Sequence, residues 1–197
     1  IPMEEAKQQL MLDQRYSYLL FFGFIRDYKG LDLLIEAFAD SRLRNYPVKL
    51  LVAGEYYSSA EPYLKLIQEK NLSDHIELRT EFIPDHEVNL YFSAADMVVQ
   101  PYKSATQSGV TQIGYHFEKP MLVTNVGGLS EIIPDGRVGY VVEPEAKFIA
   151  EALVDFYEND RLNSFSENVI EEKKKFSWAN MVGTFTTIYN EILNSKS

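Results

Sequence analysis

The sequence predicts an α/β fold: a doubly wound, Rossmann-like parallel sheet of six strands with helices on both faces. Two observations predict this class. Short apolar runs of strand length show little alternation of apolar and polar residues, as strands buried on both faces should. Amphipathic stretches separate these runs, with short connections containing Gly, Pro, Asn or Asp, which is the pattern of right-handed crossovers in a parallel sheet.

The elements follow in chain order. The apolar runs predict strands over residues 18–22, 48–53, 76–78, 97–100, 121–124 and 138–142. Helical periodicity between them predicts helices over residues 31–39, 60–70, 85–94, 109–117 and 146–158. A short helix over residues 3–12 precedes the sheet, and helices over 161–175 and 178–193 follow it. Gly127, Gly128 and Gly136 are expected at turns with positive φ.

Length and composition limit the classes of function. The 197 residues contain 46% hydrophobic residues and no repeat or linker-like segment, which predicts a single domain over residues 1–197. A net charge of −10 argues against nucleic acid as a partner, whereas one small anionic ligand in a locally basic pocket stays open. The absence of cysteine excludes disulfides and thiol catalysis. The three histidines lack metal-ligand spacing, so no metal site is expected.

The apolar runs are too short to span a bilayer, and no secretory leader opens the sequence, so we expect no membrane insertion and a cytoplasmic location. A peripheral position at the inner face of a membrane stays open for a full-length enzyme. The opening Ile1-Pro2-Met3 suggests a piece of a longer protein, which is an expectation at this stage.

Candidate ligand-binding residues lie in the loops after the strands, because ligands of doubly wound sheets bind at the carboxyl ends of the strands. Gly23, Arg26 and Lys29 follow the first strand, and a guanidinium with an ammonium can hold a diphosphate. The alternative is an ordinary solvated basic pair. After the fourth strand, a Ser108-Gly109 step opens a helix whose amide N–H groups and dipole favour an anion. A plain N-cap at Thr106 or Ser108 explains part of this loop.

Two other loops offer weaker candidates. Gly54 ends the second strand and permits close backbone approach, or simply forms a turn. Phe82 and Ile83 follow the third strand and could flank a flat base, although Phe82 could equally belong to the core. A run of basic residues from Lys173 to Lys175 is most simply a solvated helix end, with a membrane-facing basic patch as the alternative.

Six strings together resemble the donor-binding, carboxyl-terminal half of a group 1, family-four glycosyltransferase of the GT-B architecture. They are Phe-Phe-Gly-Phe-Ile-Arg-Asp-Tyr-Lys-Gly-Leu-Asp-Leu-Leu-Ile-Glu-Ala (21–37), Leu-Leu-Val-Ala-Gly (50–54), Phe-Ile-Pro (82–84), Ala-Ala-Asp-Met-Val-Val-Gln-Pro-Tyr (94–102), Lys-Pro-Met-Leu-Val-Thr-Asn-Val-Gly-Gly-Leu-Ser-Glu (119–131) and Asp-Gly-Arg-Val-Gly-Tyr-Val-Val (135–142). Their order and spacing match throughout, and the resemblance covers residues 1–193.

The resemblance implies a retaining transferase whose substrate is a UDP- or GDP-sugar, with no cofactor and no metal ion. Arg26 and Lys29 would hold the diphosphate as the catalytic cations. The residues around Gly54, Phe82 and Ile83 would line the base. The phosphates and sugar would face Gly23 and the helix-opening segment, which comprises Gln107, Ser108, Gly109 and Val110.

The resemblance also implies partners beyond this sequence. A glycan or lipid-linked acceptor, in an assembly pathway for a surface polysaccharide, would bind an amino-terminal domain that is absent here. The terminal helix, within residues 176–193, would cross to that domain through Trp178, Met181, Phe185, Ile188 and Ile192. The fragment alone is then expected to bind the donor without turnover. A homodimer through this helix stays open.

The sequence departs from the family pattern at three positions. The family places an arginine directly after the first-loop glycine, where this sequence has Phe24. A pair of glutamates eight positions apart in many members corresponds to Ala105 and Ile113. Amides or hydroxyls of Gln107, Ser108 and Gln112 could replace those carboxylates, although Gln112 also fits a plain helix surface.

Two other classes of protein share this doubly wound architecture. A signalling receiver domain shares the doubly wound class but needs an acidic cluster after the first strand and a phospho-acceptor aspartate after the third, neither of which is present. A nucleotide-sugar epimerase shares the architecture but uses acid and base residues between two domains. Non-catalytic nucleotide binding is the third alternative.

Overall fold

A computed structural model describes residues 1–177, 182–183 and 185–189, and six parallel strands in this part of the chain form one sheet. The strands are β1 (Ser17–Phe22), β2 (Val48–Ala53), β3 (Ile76–Arg79), β4 (Met97–Gln100), β5 (Met121–Thr124) and β6 (Gly139–Val142). The helices are α1 (Met3–Gln9), α2 (Leu31–Phe38), α3 (Glu61–Glu69), α4 (Val88–Ala94), α5 (Gly109–His116), α6 (Leu129–Ile132), α7 (Ala146–Glu158) and α8 (Arg161–Glu172). The predicted fold class is confirmed.

The strand order is β3-β2-β1-β4-β5-β6, and every neighbouring pair is parallel. The chain therefore builds outward from β1 in one direction and from β4 in the other, so the order reverses between β1 and β4. In doubly wound sheets the crevice at such a reversal is the usual place for a ligand. The order also differs from the 2-1-3-4-5 arrangement of receiver domains.

Alternating side chains of β1 belong to two hydrophobic clusters, one on each face of the sheet. Leu19 and Phe21 pack on the face covered by α2, α3 and α7, whereas Tyr18 and Leu20 pack on the face covered by α1, α4 and α5. These four side chains are at most 1% exposed. Burying a large apolar side chain contributes roughly 1.5–3 kcal/mol, so β1 is a rigid base for the loop that follows it.

Several predicted helix boundaries were wrong. The helix expected over residues 3–12 ends at Gln9, because Met11 adopts φ 53° and the Leu12 amide turns back to donate to the Lys7 carbonyl at 2.8 Å. The helix expected over 85–94 begins with a 3-10 turn, Asp85–Glu87. The helix expected over 161–175 ends at Glu172 and continues as a 3-10 turn, Lys173–Phe176.

Three short elements were not predicted from the sequence. The 3-10 turns Asp27–Lys29 and Ser41–Asn45 and the four-residue helix α6 are too short to show a helical period. Of the glycines expected at positive φ, Gly127 and Gly136 adopt it, at 52° and 67°, whereas Gly128 has φ −85°. The expectation for Gly128 was therefore wrong.

The predicted terminal helix lies partly outside the described residues. Trp178, Met181 and Ile192 are among the residues outside, whereas Phe185 and Ile188 are helical and exposed. The crossing of this helix to another domain stays a prediction. No helix in the described part of the chain is long and apolar enough to cross a bilayer.

Candidate ligand-binding site

The loops after β1 and β4, together with the start of α5, line an open cavity of about 710 Å³ at the carboxyl ends of these strands. We call it the central cavity. It is lined by Tyr28, Lys29, Tyr102, Ser104, Ala105, Thr106, Gln107, Ser108, Gly109, Val110 and Ile113. Its volume lies within the range of about 300–1,000 Å³ that is typical of sites for small organic ligands.

Lys29 supplies the cation of the central cavity. It ends the 3-10 turn Asp27–Lys29 and is 9% exposed, and its amine forms no hydrogen bond or ion pair with any described residue. Burial, and secondarily the charge of Arg26, lower the pKa of Lys29 to about 8. A buried ammonium without a counter-charge is costly, so an anion in the cavity would relieve this cost.

Gly23 makes room for this amine. A Cβ atom at Gly23 would lie 2.9 Å from Lys29 Nζ, and the backbone there has φ 94°, a conformation that disfavours other residues. Gly54 in turn packs behind Gly23, since a Cβ at Gly54 would lie 2.4 Å from the Gly23 carbonyl oxygen. Gly23 and Gly54 therefore support the position of the Lys29 amine, and neither glycine lines the central cavity itself.

The amino terminus of α5 forms the opposite wall. Ser108 is the N-cap, and its hydroxyl accepts a hydrogen bond from the Val110 amide at 3.2 Å. The first amides of a helix lack intrahelical partners, and the Gly109 amide donates to no described residue. A side chain at Gly109 would meet nothing within 4 Å. Backbone N–H groups and the positive end of the helix dipole are thus accessible to an anion.

Lys103 connects the loop after β4 to the loop after β1. Its amine pairs with Asp27 at 2.8 Å and with Asp32 at 2.9 Å, and its amide donates to the Tyr28 carbonyl at 2.7 Å. The Tyr28 ring also packs edge-on against Tyr102, with centroids 6.0 Å apart. These contacts fix Lys29 relative to the β4 loop, so the polar sequence of that loop has a structural role at Lys103.

Arg26 does not line the central cavity. Its guanidinium lies over the ring of Tyr57, 4.2 Å from the centroid, and the side chain is exposed. The charge of Arg26 still contributes to the lowered pKa of Lys29. In this conformation the two cations predicted to hold a diphosphate thus have different surroundings, and Arg26 would have to leave Tyr57 to meet a ligand in the cavity.

Phe82 and Ile83 lie at a second cavity, of about 350 Å³, beyond the end of β3. This β3 cavity is lined by Leu78, Arg79, Thr80, Glu81, Phe82, Ile83, Glu87 and Tyr91. Phe82 is 69% exposed, so it does not belong to the core. The β3 cavity shares no lining residue with the central cavity, and the role of Phe82 and Ile83 at a base stays a prediction.

The structure brings five of the predicted site residues together around the central cavity: Lys29, Gln107, Ser108, Gly109 and Val110. Ala105 and Ile113, where the family pattern has carboxylates, line it as well. Gln112 lies outside this lining, as a helix-surface residue would.

Tyr28 and Tyr102 also line the central cavity, a role that was not predicted for them. The available signal was their place in the sequence, since Tyr28 precedes Lys29 and Tyr102 is the second residue after β4.

The positive charges of the basic run after α8 are neutralised by neighbouring carboxylates. Lys173, Lys174 and Lys175 pair with Glu118, Glu171 and Glu172, respectively. These contacts favour a helix end held by ion pairs over a basic membrane-facing patch. Within the described residues, no three His, Asp or Glu side chains come together as a metal site would require.

The sequence matches the family model described as glycosyl transferases group 1 over residues 2–176. A relative, an uncharacterized glycosyltransferase of Methanocaldococcus jannaschii, is 32% identical over 190 residues, which cover 94% of this chain and 51% of that protein. The chain thus spans about half the length of that curated relative.

Solved structures of similar fold include both an isolated domain and a longer protein. The carboxyl-terminal domain of a glycosyl transferase group 1 family protein from Francisella tularensis superposes with a TM-score of 0.76 at 23% identity, covering 88% of this chain and 91% of that one. The Anabaena protein HepE, in complex with UDP, gives a TM-score of 0.77 at 19% identity, covering 98% of this chain and 52% of that one.

Proposed function

The chain belongs to the group 1 glycosyl transferase family, and on this premise we propose that its central cavity binds the diphosphate of a nucleoside-diphosphate sugar. The observation that carries the proposal is the shared location of two anion-binding features. The unpaired, buried Lys29 amine and the amino terminus of α5 line the same cavity. A diphosphate would receive a point charge from one wall and backbone N–H donors from the other.

This arrangement suits the chemistry of sugar transfer. Negative charge grows on the leaving diphosphate as the glycosidic bond breaks, so a fixed cation and a helix amino terminus stabilise the transition state more than the ground state. Lys29 would provide this charge, with Arg26 as a second cation once it turns away from Tyr57. The proposal requires no metal ion, and it assigns the sugar to the polar segment that includes Thr106 and Gln107.

The proposal also includes the base of the donor and the kind of acceptor. We take uridine as the base, since HepE is described in complex with UDP, and we keep guanosine as the alternative. The reaction would retain the configuration of the sugar and use a glycan or lipid-linked acceptor. Because the chain spans about half of its relative's length, we expect donor binding by this chain and turnover only with further parts of a longer enzyme.

Calorimetry tests the proposal with UDP, GDP and UMP. Wild type should bind UDP more tightly than UMP, which lacks the second phosphate. Lys29→Ala should weaken UDP binding about ten- to a hundred-fold, the cost of one charge-assisted hydrogen bond. Lys65→Ala is the matched control, because this lysine on α3 is exposed and pairs with Glu69 away from the cavity lining.

Each outcome has a distinct meaning. Equal UDP affinity of wild type and Lys29→Ala would contradict the assigned site, and the absence of any nucleotide binding by folded wild type would contradict the function. Tighter binding of GDP than of UDP would overturn the choice of uridine alone.

A further inference from the structure

The amine of Lys29 combines two properties that make a lysine reactive. It is 9% exposed and has no partner among the described residues, yet it lines the open central cavity, where a small molecule can reach it. Burial, and secondarily the charge of Arg26, lower the pKa of Lys29 to about 8. Near neutral pH, far more of this amine is therefore neutral than of an ordinary lysine, whose pKa is about 10.4. A neutral, desolvated lysine amine is a nucleophile.

The central cavity also offers a place for the phosphate of an incoming reagent, on the wall opposite this amine. The Gly109 amide at the start of α5 donates to no described residue, and no side chain at this glycine covers it. The amino terminus of α5 therefore attracts a phosphate group toward the wall that faces Lys29. Among the described residues that line the cavity, none carries a carboxylate, so the lining presents no negative charge to such a reagent.

These features together fit an acyl phosphate, in which a single oxygen atom joins the phosphoryl group to an electrophilic carbonyl carbon. We propose that Lys29 is a site of covalent acylation by acyl phosphates, and that this modification switches off diphosphate binding in the central cavity. The second half of this inference rests on the proposed function. Acyl-coenzyme A fits less well, because its thioester carbonyl lies far from its phosphates, so a phosphate at α5 would not bring that carbonyl to Lys29.

The reaction is an acyl transfer that needs no further reactant. The neutral Lys29 amine attacks the carbonyl carbon and forms an N–C bond. The C–O bond to the phosphate breaks, inorganic phosphate leaves with the electron pair, and the amine proton passes to solvent water. The amino terminus of α5 stabilises the negative charge on this leaving group. The product is a neutral amide, so the cavity loses its cation.

Two other lysines of the described chain separate the causes of this reactivity. Burial acts to lower the pKa of Lys103, but its hydrogen bonds with Asp27 and Asp32 outweigh this effect and raise that pKa. Burial also lowers the pKa of Lys119, but that amine donates to a backbone carbonyl at 3.2 Å and lies outside the cavity lining. Lys103 therefore tests proximity to the cavity alone, and Lys119 tests burial alone.

Peptide mapping by mass spectrometry tests the inference on this chain treated with acetyl phosphate at pH 7.5. Acetylation of Lys29 should be at least about ten-fold faster than that of Lys103 or Lys119, because only Lys29 combines a lowered pKa with a phosphate site. Gly109→Ala, which places a methyl group beside the α5 amide, should slow this reaction about ten-fold. The same variant should slow acetylation by p-nitrophenyl acetate much less, since this neutral ester carries no phosphate.

Calorimetry on the acetylated chain tests the switch. UDP affinity should fall about ten- to a hundred-fold, as expected for Lys29→Ala. Lys29→Arg is the matched control: a guanidinium is not acetylated under these conditions, so the same treatment should leave the UDP affinity of this variant where it was. An equal loss in both proteins would overturn the switch, because the loss would then come from other lysines.

The remaining outcomes separate this inference from the proposed function. Equal acetylation rates at Lys29 and Lys119, or equal slowing of both reagents by Gly109→Ala, would overturn the acylation site. Selective acetylation of Lys29 in a folded chain that binds no UDP would support the acylation site and contradict the proposed function.

Discussion

The amine of Lys29 lies 5.8 Å from the centre of the Tyr102 ring, so the loops after β1 and β4 face each other across one buried aromatic side chain. Tyr102 is 3% exposed, and its hydroxyl shares a hydrogen bond of 3.3 Å with Ser108, the N-cap of α5. One ring therefore contacts both the cation and the helix terminus. The ring therefore holds the two anion-binding features in a fixed relation to each other, and such positioning lowers the entropic cost of binding an anion.

We expect the affinity for UDP to fall above about pH 8. The pKa of Lys29 is lowered to about 8 by burial and by the charge of Arg26, so the free protein loses this cation as the pH rises through that value. A neutral amine attracts a diphosphate weakly, and affinity should fall by up to about ten-fold per pH unit. Calorimetry from pH 7 to 9 measures this dependence.

Lys29→Arg is the control for this pH profile. A guanidinium stays charged throughout the range, so the affinity of this variant should stay nearly constant. A wild-type profile as flat as that of Lys29→Arg would contradict the role of the lysine charge.

The stability of the ligand-free protein should change in the opposite sense. The folded chain releases the Lys29 proton near pH 8, whereas the unfolded chain keeps it until about 10.5. The unfolded state therefore binds more protons between these values, and the contribution of Lys29 to the free energy of unfolding rises with pH over this interval. In urea titrations, the free energy of unfolding should increase more from pH 7 to pH 10 in wild type than in Lys29→Met. Equal gains would contradict the lowered pKa.

Gly23→Ala should reduce both stability and UDP affinity, because its Cβ would press on the Lys29 amine at 2.9 Å and because φ there is 94°. Backbone strain of this kind costs roughly 1–3 kcal/mol. Gly136→Ala separates the two effects, since Gly136 also has positive φ, 67°, but has open space around it. Thermal unfolding should show reduced stability in both variants. Calorimetry should show weakened UDP binding in Gly23→Ala only. Loss of affinity in both would indicate a general effect of strain.

The sequence predicted well those features that depend on local pattern. Three strands, β2, β4 and β5, match their predicted bounds residue for residue, because strands buried on both faces read as continuous apolar runs. Lys29, Ser108 and Gly109 line one cavity, as expected because loops at the carboxyl ends of neighbouring strands lie close together.

Contacts between loops distant in the sequence could not be predicted. Arg26 stacks on Tyr57 because a parallel bridge between Ile25 and Tyr56 joins the loops after β1 and β2. A single sequence carries no signal for that pairing. The pairing of Lys103 with Asp27 spans 76 positions. Lys103 joins the loop after β4 to Asp27 and Asp32, and this structural role is not readable from the sequence.

Lys103→Met should loosen the β1 loop with a small cost in stability. The lost pairs with Asp27 and Asp32 are partly exposed, so the free energy of unfolding should fall by about 1 kcal/mol or less. Because Lys29 belongs to the same loop, UDP affinity should fall by up to about five-fold. Lys147→Met, which removes an exposed pair with Glu151 on α7, should leave affinity unchanged. Equal affinities of the two variants would show that Lys103 does not position the site.

Gly109→Ala should weaken UDP binding without destabilising the fold. Gly109 begins α5, its φ is not positive, and an added Cβ would meet nothing within 4 Å, so the folded protein can accept the methyl group. That methyl group would occupy the space through which a phosphate reaches the Gly109 amide, and losing one such charge-assisted hydrogen bond costs about ten-fold in affinity or more. Calorimetry and thermal unfolding measure the two properties separately. Gln112→Ala, on the same helix but outside the cavity lining, should change neither. If Gly109→Ala binds UDP as tightly as wild type, the phosphates do not approach the amino terminus of α5.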